Sequence, residues 1–512
     1  MDTSIIFKKN KELKILYTSA EVYPYAGVGG LGQISYFLTK ALIKENLDAR
    51  IFMPKYGHID EKKYHLKMLY KDIKIPTEFH QDVICNIKTY KEDDSSPTIY
   101  FLENMEFYEK RSNVYGYNDD HIRFLLLSLG VIEFLKLSDW TPDIINAADW
   151  HTGHIPNLIK VNYKNDPKIS KIATVFSIHN IMHQGLFDHK NINDLDYDNG
   201  KGEILDLFNP NLRNQNFLRR GIMYSDMITT VSEKYSREIL KKENGEGLEK
   251  LLREVRTKLI GILNGIDYTY MNPEIDTNIV SNYNYKSIEK RLINKIDLQK
   301  EFDLEIGDFP ILSMVTRLDT QKGLDLVMEI LEPLIKENEK IQFVIIGGGD
   351  GRYTEFFHKI ENKYPKRIGT HLVQDYILPK KVFSGADIIL LPSYFEPSGI
   401  TQMEAMRYGC IPVARAVGGL YDSIDDFDIK TMKGNGFLFT KFNAFSLYGA
   451  IIKALDMFQN KGIWNEIIIS AMKKDFSWEN SAQKYIDTYM KAMELNNGNK
   501  DKFNLEYQLF TL

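Results

Sequence analysis

The chain has 512 residues, 43% of them hydrophobic and 12% aromatic; it is too long for one core and too apolar for disorder, so two or three folded domains are expected. Its formal net charge of -5, from 65 basic and 70 acidic side chains, excludes the basic footprint of a nucleic-acid or membrane-surface binder and leaves small molecules or neutral polymers as partners. Two cysteines, Cys85 and Cys410, each in an apolar strand-like run, allow neither a disulfide framework nor a cysteine metal site. Residues 1–10 lack a signal-peptide layout and no apolar run reaches about 18 residues, so the expected compartment is the cytoplasm.

In chain order, residues 14–20 read as a strand, 31–44 as an amphipathic helix and 46–54 as a second strand, a right-handed βαβ start. The intervening loop, Glu21 to Gly32, carries four glycines at Gly27, Gly29, Gly30 and Gly32, which let a backbone approach a ligand and leave its amides unobstructed. Residues 60–100 suggest a small β excursion, and 98–102 another strand. The stretch from Phe107 to Phe124 is rich in tyrosine, asparagine and aspartate. Aromatic faces with amide and carboxylate edges suit sugars; packing of an aromatic loop on the core is the competing reading. Strands at 143–148 and 172–178 end in Asp149-Trp150-His151 and His179-Asn180. The spacing of His151, His179 and His183 matches no tight metal motif, so no metal is expected. A strand at 258–263 precedes Asn264-Gly265-Ile266-Asp267, and the polar run from Tyr268 to Lys286 reads as a domain boundary.

A second domain starts with a strand at 309–315 and a turn holding Arg317 and Lys322, a planar fork and a mobile point charge that can embrace a diphosphate. The glycines of 347–351 fit the dinucleotide fingerprint poorly, which excludes a nicotinamide cofactor. A buried strand at 386–392 then leads through Glu396 and Gly399 into a helix beginning at Thr401 and closed by Gly409. Strand, turn and helix in that order put the loop at a strand's carboxyl end, and the amides of Gly399, Ile400 and Thr401 at a helix N-terminus suit an anion. Glu396 and Glu404 are eight residues apart, about 12 Å of helical rise. Glycosidase carboxylates stand about 5 to 9.5 Å apart, so a hydrolytic pair is not expected. Thr401 and Glu404 also fit a plain capping box. A strand at 435–439, a helix at 442–459 and a final helix opening near Phe476 complete the chain.

Five separated motifs, D-W-H-x-G at 149–153, S-I-H-N at 177–180, N-G-I-D at 264–267, T-R-x-x-x-Q-K-G-L-D at 316–325 and E-P-S-G-I-T-Q-x-E-A-M-R-Y-G-x-I-P-V at 396–413, together resemble the glycogen and starch synthase family of bacterial type. These are retaining glycosyltransferases of family 5. The resemblance spans residues 14 to about 492 and implies an α/β GT-B fold, two Rossmann-like domains with parallel sheets facing across a deep cleft and a C-terminal helix crossing back. The corresponding divisions are 12–267 (acceptor side), 268–480 (nucleotide sugar), 481–496 (returning helix) and 497–512 (tail). It implies retaining transfer of glucose from ADP-glucose to the nonreducing end of an α-1,4-glucan. The alternatives are a UDP-glucose or family-4-like GT-B transferase, and a non-catalytic glucan-binding protein. Glu396, His179, Arg317 and Lys322 would carry catalysis; Gly29, Gly30, Gly399, Ile400, Thr401, Glu404, Tyr376 and Asn264 would hold the donor; Glu21, Tyr117, Asp119, Asp120, Asp149, Trp150 and Asn180 would face the acceptor. No cofactor, metal, nucleic acid or membrane is implied, and a homo-oligomer is left open. Two departures stand out, Gly27 where a lysine is usual and Gln33 where an aspartate is common.

Overall fold

A computed structural model describes residues 12–78, 80–187 and 198–498, so the two ends of the chain, including residues 1–11 and most of the tail, lie outside the described residues. The chain divides into two units: residues 1–231, 236–265 and 478–512 form the first, and residues 232–235 and 266–477 the second.

Among its described residues the first unit carries nine strands, β1 (Lys14–Thr18), β2 (Asp48–Pro54), β3 (Lys67–Ile75), β4 (Val83–Tyr90), β5 (Thr98–Glu103), β6 (Ile144–Ala148), β7 (Ala173–Ile178), β8 (Met227–Thr230) and β9 (Leu259–Gly261). They lie in the order β3-β4-β5-β2-β1-β6-β7-β8-β9. From β5 to β9 every pairing is parallel, while β3 and β4 form an antiparallel excursion at the edge. Every residue of β6 and β7 is buried, as expected of near-continuous apolar strands covered on both faces. The helix Gly30–Lys44 buries Leu31, Ile34, Leu38, Ala41 and Leu42 at helical spacing. The last helix, Trp478–Asn496, also belongs to this unit: Ser481 Oγ donates to Leu263 O at 2.6 Å and the buried Tyr489 hydroxyl to Asn146 Oδ1 at 3.0 Å.

The second unit is a six-stranded, all-parallel sheet of β10 (Ile311–Val315), β11 (Gln342–Ile346), β12 (Ile368–His371), β13 (Ile388–Leu391), β14 (Ile411–Arg415) and β15 (Phe437–Phe439). Its order is β12-β11-β10-β13-β14-β15. Counted within the unit this is 3-2-1-4-5-6, the doubly wound order whose ligand crevice opens where the direction of winding reverses, between the first and fourth strands. Here that point lies between β10 and β13. The same logic in the first unit points to the ends of β1 and β6. The helix Leu324–Glu337 follows β10 through Gly323, held at φ +70°; a Cβ there would lie 2.1 Å from the carbonyl oxygen of Pro392, so this junction requires glycine. Among the described residues no helix is long and apolar enough to cross a membrane.

Candidate active site

In the second unit the loops after β10 and β13 are joined at the reversal point. Tyr394 N–H donates to Gln321 O at 2.7 Å and Gln321 Nε2 to Phe395 O at 3.2 Å. Lys322 Nζ thereby meets Glu396 Oε2 at 2.6 Å, and Ser393 Oγ donates to the same oxygen at 3.1 Å. Both donors converge on one oxygen of the Glu396 carboxylate and fix its orientation. Arg317 stands beside this pair in sequence but faces water, its side chain 71% exposed with Asp319 3.2 Å away. An exposed guanidinium and a paired ammonium on one turn can take up a diphosphate with little rearrangement.

The backbone of the Glu396 loop is held from behind. Gly419 N–H donates to the carbonyls of Glu396 and Pro397, both at 3.1 Å. A Cβ at Gly418 would lie 1.9 Å from Glu396 O, and one at Gly419 1.8 Å from Ser398 O. Fully buried Gln402 donates to Ser398 O and Gly399 O, each at 3.1 Å, and to Ser423 Oγ at 3.0 Å. The helix Thr401–Arg407 begins behind Ile400 with no side-chain cap, so the capping box of Thr401 and Glu404 is not formed. The amides of Gly399, Ile400 and Thr401 meet no acceptor among the described residues. Burial pushes the Glu404 carboxyl up to about 7, with the Lys380 charge pulling the other way. The glycine run after β11 serves packing: a Cβ at Gly347 would lie 1.7 Å from Thr316 O, and Leu318 N–H donates to Gly348 O at 3.0 Å. It lets the Arg317 loop lie flat on its neighbour. Tyr376 sits beyond β12, 73% exposed, its hydroxyl accepting from Gln374 Nε2 at 2.8 Å.

In the first unit the ends of β1, β6 and β7 gather a second cluster. Asp149 has φ 56° and ψ -178°, a combination normally reserved for glycine and costing about 1–3 kcal/mol. Its buried carboxyl accepts from the His179 amide at 2.7 Å and from the Asn180 amide, and burial pushes it up to about 7. Asp149 therefore sets the backbone that carries His179. The His179 ring is buried, with Nε2 3.3 Å from the Tyr17 hydroxyl and Nδ1 without a partner; burial brings it down to about 4, so it is neutral at pH 7. The buried Asn264 Oδ1 is likewise unpaired, and an unsatisfied buried atom at a strand end invites a ligand. Asn180 Oδ1 accepts from Met182 N at 3.1 Å.

The glycine loop is organised differently from the expectation of open amides. Glu21 Oε2 accepts from Val28 N at 2.6 Å and Gly29 N at 3.0 Å, and Oε1 from the Tyr115 hydroxyl at 2.5 Å. An internal carboxylate thus occupies the amide of Gly29, while Gly30 opens the helix and a Cβ at Gly27 would meet nothing within 4 Å. Trp150 is a buried ring wedged against Phe124, Phe187 and Phe217, with centroids 5.0 to 6.1 Å apart. Asp120 is spent inside the fold, pairing with buried Arg123 and accepting from the amides of Gly116 and Tyr117. Asp119 pairs with Arg111 at 2.6 Å, and Tyr117 stacks under the guanidiniums of Arg111 and Arg123. Tyr115, which the sequence did not single out, lies closer to the cluster, stacked on His151 at 4.8 Å. The one three-carboxylate group among the described residues, Glu61, Glu103 and Glu109, is filled by Lys55 and Lys88 as an ion-pair network.

Residues 14–254 match the family described as starch synthase catalytic domain, and residues 296–463 the glycosyl transferases group 1. The glycogen synthase of Clostridium perfringens is 39% identical over 483 residues, covering 94% of this chain and 98% of that protein. Among solved structures, the catalytic domain of starch synthase IV from Arabidopsis thaliana bound to ADP and acarbose superposes with a TM-score of 0.82 at 29% identity, covering 94% of this chain and all of that one. The sucrose-phosphate synthase of Thermosynechococcus elongatus, at 15% identity and a TM-score of 0.57 over 94% and 99% of the two chains, shares the fold.

Proposed function

The chain belongs to the glycogen and starch synthase family, GT-B hexosyltransferases that extend an α-glucan from a nucleotide sugar, and we propose that it uses ADP-glucose and adds glucose with retention to the nonreducing end of an α-1,4-chain. The observation that carries this reading is the basic pair at the doubly wound reversal point, with Lys322 resting on Glu396 and Arg317 open to solvent. Breaking the sugar–phosphate bond leaves negative charge on the departing diphosphate. Arg317 and Lys322 stabilise that charge in place, which costs no reorganisation at the moment of reaction. The amides of Gly399 to Thr401 add neutral donors to the same anion. Glu396, fixed by Lys322 and Ser393, stands beside the transferred glucose, where its carboxylate favours the developing positive charge. Glu404 is assigned to the ribose and Tyr376 to the base; neighbouring strands are about 4.8 Å apart, so the two-strand offset between β12 and β10 suits a base lying away from its phosphates.

On the acceptor side, neutral His179 bonds a sugar hydroxyl through its unpaired Nδ1 without adding charge, with Asp149 holding its backbone. Asn180 and Asn264 supply further polar groups; Glu21 latches its own loop, and Trp150, Asp119, Asp120 and Tyr117 support the wall behind them. Two cations and a row of amides make a metal unnecessary, and the soluble reaction fits the cytoplasm. Incubation with radiolabelled ADP-glucose or UDP-glucose and maltooligosaccharides tests the reading. Incorporation at least tenfold faster from ADP-glucose is expected; preference for UDP-glucose would overturn the donor assignment, and absence of incorporation from either would overturn the activity.

A further inference from the structure

Behind the helix Thr401–Arg407 lies a buried charge network that the phosphate and sugar contacts leave unused. Glu404 and Tyr408 stand four residues apart, so they share one face of that helix. Tyr408 is fully buried, and its hydroxyl donates to Asp276 Oδ2 at 2.5 Å. The Lys380 ammonium lies 3.5 Å from the same oxygen, donates to Tyr270 O at 2.9 Å and sits 3.7 Å from the centre of the Tyr270 ring. Lys380 belongs to the helix Leu378–Gly385, which packs against Thr401–Arg407, and only 4% of it is exposed. A lysine is rarely buried to that extent, and this one is held by a carboxylate, a carbonyl and a ring face. The Glu404 carboxyl meets no hydrogen-bond donor among the described residues; burial disfavours its charge and the Lys380 ammonium favours it. The other charged and titratable groups around this helix are engaged elsewhere. Arg407 lies over the Tyr268 ring and donates to Asn272 Oδ1 at 3.3 Å, Tyr283 donates to Tyr408 O at 2.7 Å, Arg415 of β14 donates to Tyr394 O, and Asp422 of the helix Gly418–Ser423 accepts from Lys234 N at 2.9 Å. On the helix Lys461–Lys473, Lys461, Glu466 and Lys473 are exposed, and β13 carries no ionisable side chain.

We propose that Lys380 is a positioning residue for the donor: its ammonium, clamped between Tyr270 and Asp276, keeps Glu404 a charged acceptor for the hydroxyls of the nucleotide ribose. The inference rests on the assignment of Glu404 to the ribose made above. A carboxylate accepts a stronger hydrogen bond than a neutral carboxyl does, and a buried carboxyl with no cation near it gives up its charge. Asp276 neutralises part of the ammonium, so the pair sets how much positive charge Glu404 meets. Tyr408 ties Asp276 to the helix that carries Glu404, which keeps the ammonium and the carboxyl in fixed relation.

The test titrates the full chain with ADP and with 2′,3′-dideoxy-ADP between about pH 6 and pH 9 and follows the ratio of the two dissociation constants, in which the titration of the phosphate itself cancels. In wild type the preference for ADP is expected to grow about tenfold as pH rises through the range in which Glu404 loses its proton, near 7. Lys380→Met keeps the stem and removes the charge; it is expected to move that rise up by about one pH unit and to leave kcat at saturating donor within about twofold. Asp276→Asn keeps an acceptor for Tyr408, removes the countercharge and is expected to move the rise the other way. Opposite movements support the proposal. A rise that stays in place in both variants, or moves the same way in both as a loosened helix would make it, overturns it. In Glu404→Gln the ratio is expected to be flat with pH. If it rose there as in wild type, the ribose assignment would fail and melting would decide the rest. The gain in melting midpoint from Glu404→Gln at pH 8 is expected to be about 1–2 °C larger in the Lys380→Met background than in wild type, and equal gains would overturn the influence of Lys380 on Glu404.

Discussion

The strand-end clusters of the two units handle charge in opposite ways. In the second unit, Arg317 and Lys322 bring two basic side chains to one turn, and the Glu396 carboxylate accepts from Lys322 and Ser393 on one of its oxygens. In the first, burial strips charge away: His179 is neutral, Asp149 is pushed up to about 7, and the charge of Glu21 is spent on two amides and a tyrosine hydroxyl. A diphosphate needs countercharge, and a sugar needs hydroxyl partners that do not attract ions. The same strand-to-loop architecture can present either environment, because the loops, not the sheets, set how far each side chain is buried.

The largest effect should come from the charged cluster. Arg317→Ala and Lys322→Ala are each expected to lower kcat by about two orders of magnitude in steady-state assays, the scale of losing one transition-state donor. Lys322→Ala should be the more severe where donor is saturating, since it also leaves Glu396 without its ammonium. Next is the backing of that cluster. Gly419→Ala forces a Cβ to within 1.8 Å of Ser398 O, and a shift of the Glu396 loop is expected to raise donor KM about tenfold and to destabilise the protein by roughly 1–3 kcal/mol in urea unfolding. In the neutral cluster, His179→Gln should cost about five- to tenfold in kcat, one uncharged hydrogen bond.

The smallest effect sharpens the contrast through pH. The folded-state pKa of Glu404 lies near 7, above its ordinary 4.5, so between those values the folded protein binds more protons than the unfolded chain. Stability from this group is therefore present below about pH 4.5 and falls as pH rises to 7. Glu404→Gln is expected to raise the melting midpoint by about 2–4 °C at pH 8 and to change it little at pH 5. A shift of equal size at both pH values would show that the carboxyl is not strained by burial.

Legibility differed between the clusters for physical reasons. Strands such as β7 and β13 announce themselves as apolar runs, and polar residues at their ends read as site residues because open parallel sheets bind there. Arg317, Lys322 and Glu396 stand at such ends, after β10 and β13, where the sequence put them. The role of Glu21 was not, because a carboxylate that latches its own loop leaves the same trace in sequence as one that faces a ligand. Trp150 was read toward the acceptor and lies in the core, since composition does not say which face of a ring is covered. The strained backbone of Asp149 and the close approach at Gly418 and Gly419 depend on segments more than 20 residues apart meeting in space. Tyr115 was passed over because it lies two residues from Tyr117 in a run where every tyrosine looked alike.

Calorimetric titration of ADP into the wild-type chain and its variants tests the division of labour most directly. The dissociation constant should rise at least about tenfold in Arg317→Ala and in Lys322→Ala and stay within about twofold of wild type in His179→Gln. Unchanged ADP affinity in both basic-residue variants, or an equal loss in the histidine variant, would contradict the assignment of charge to one unit and neutral contacts to the other.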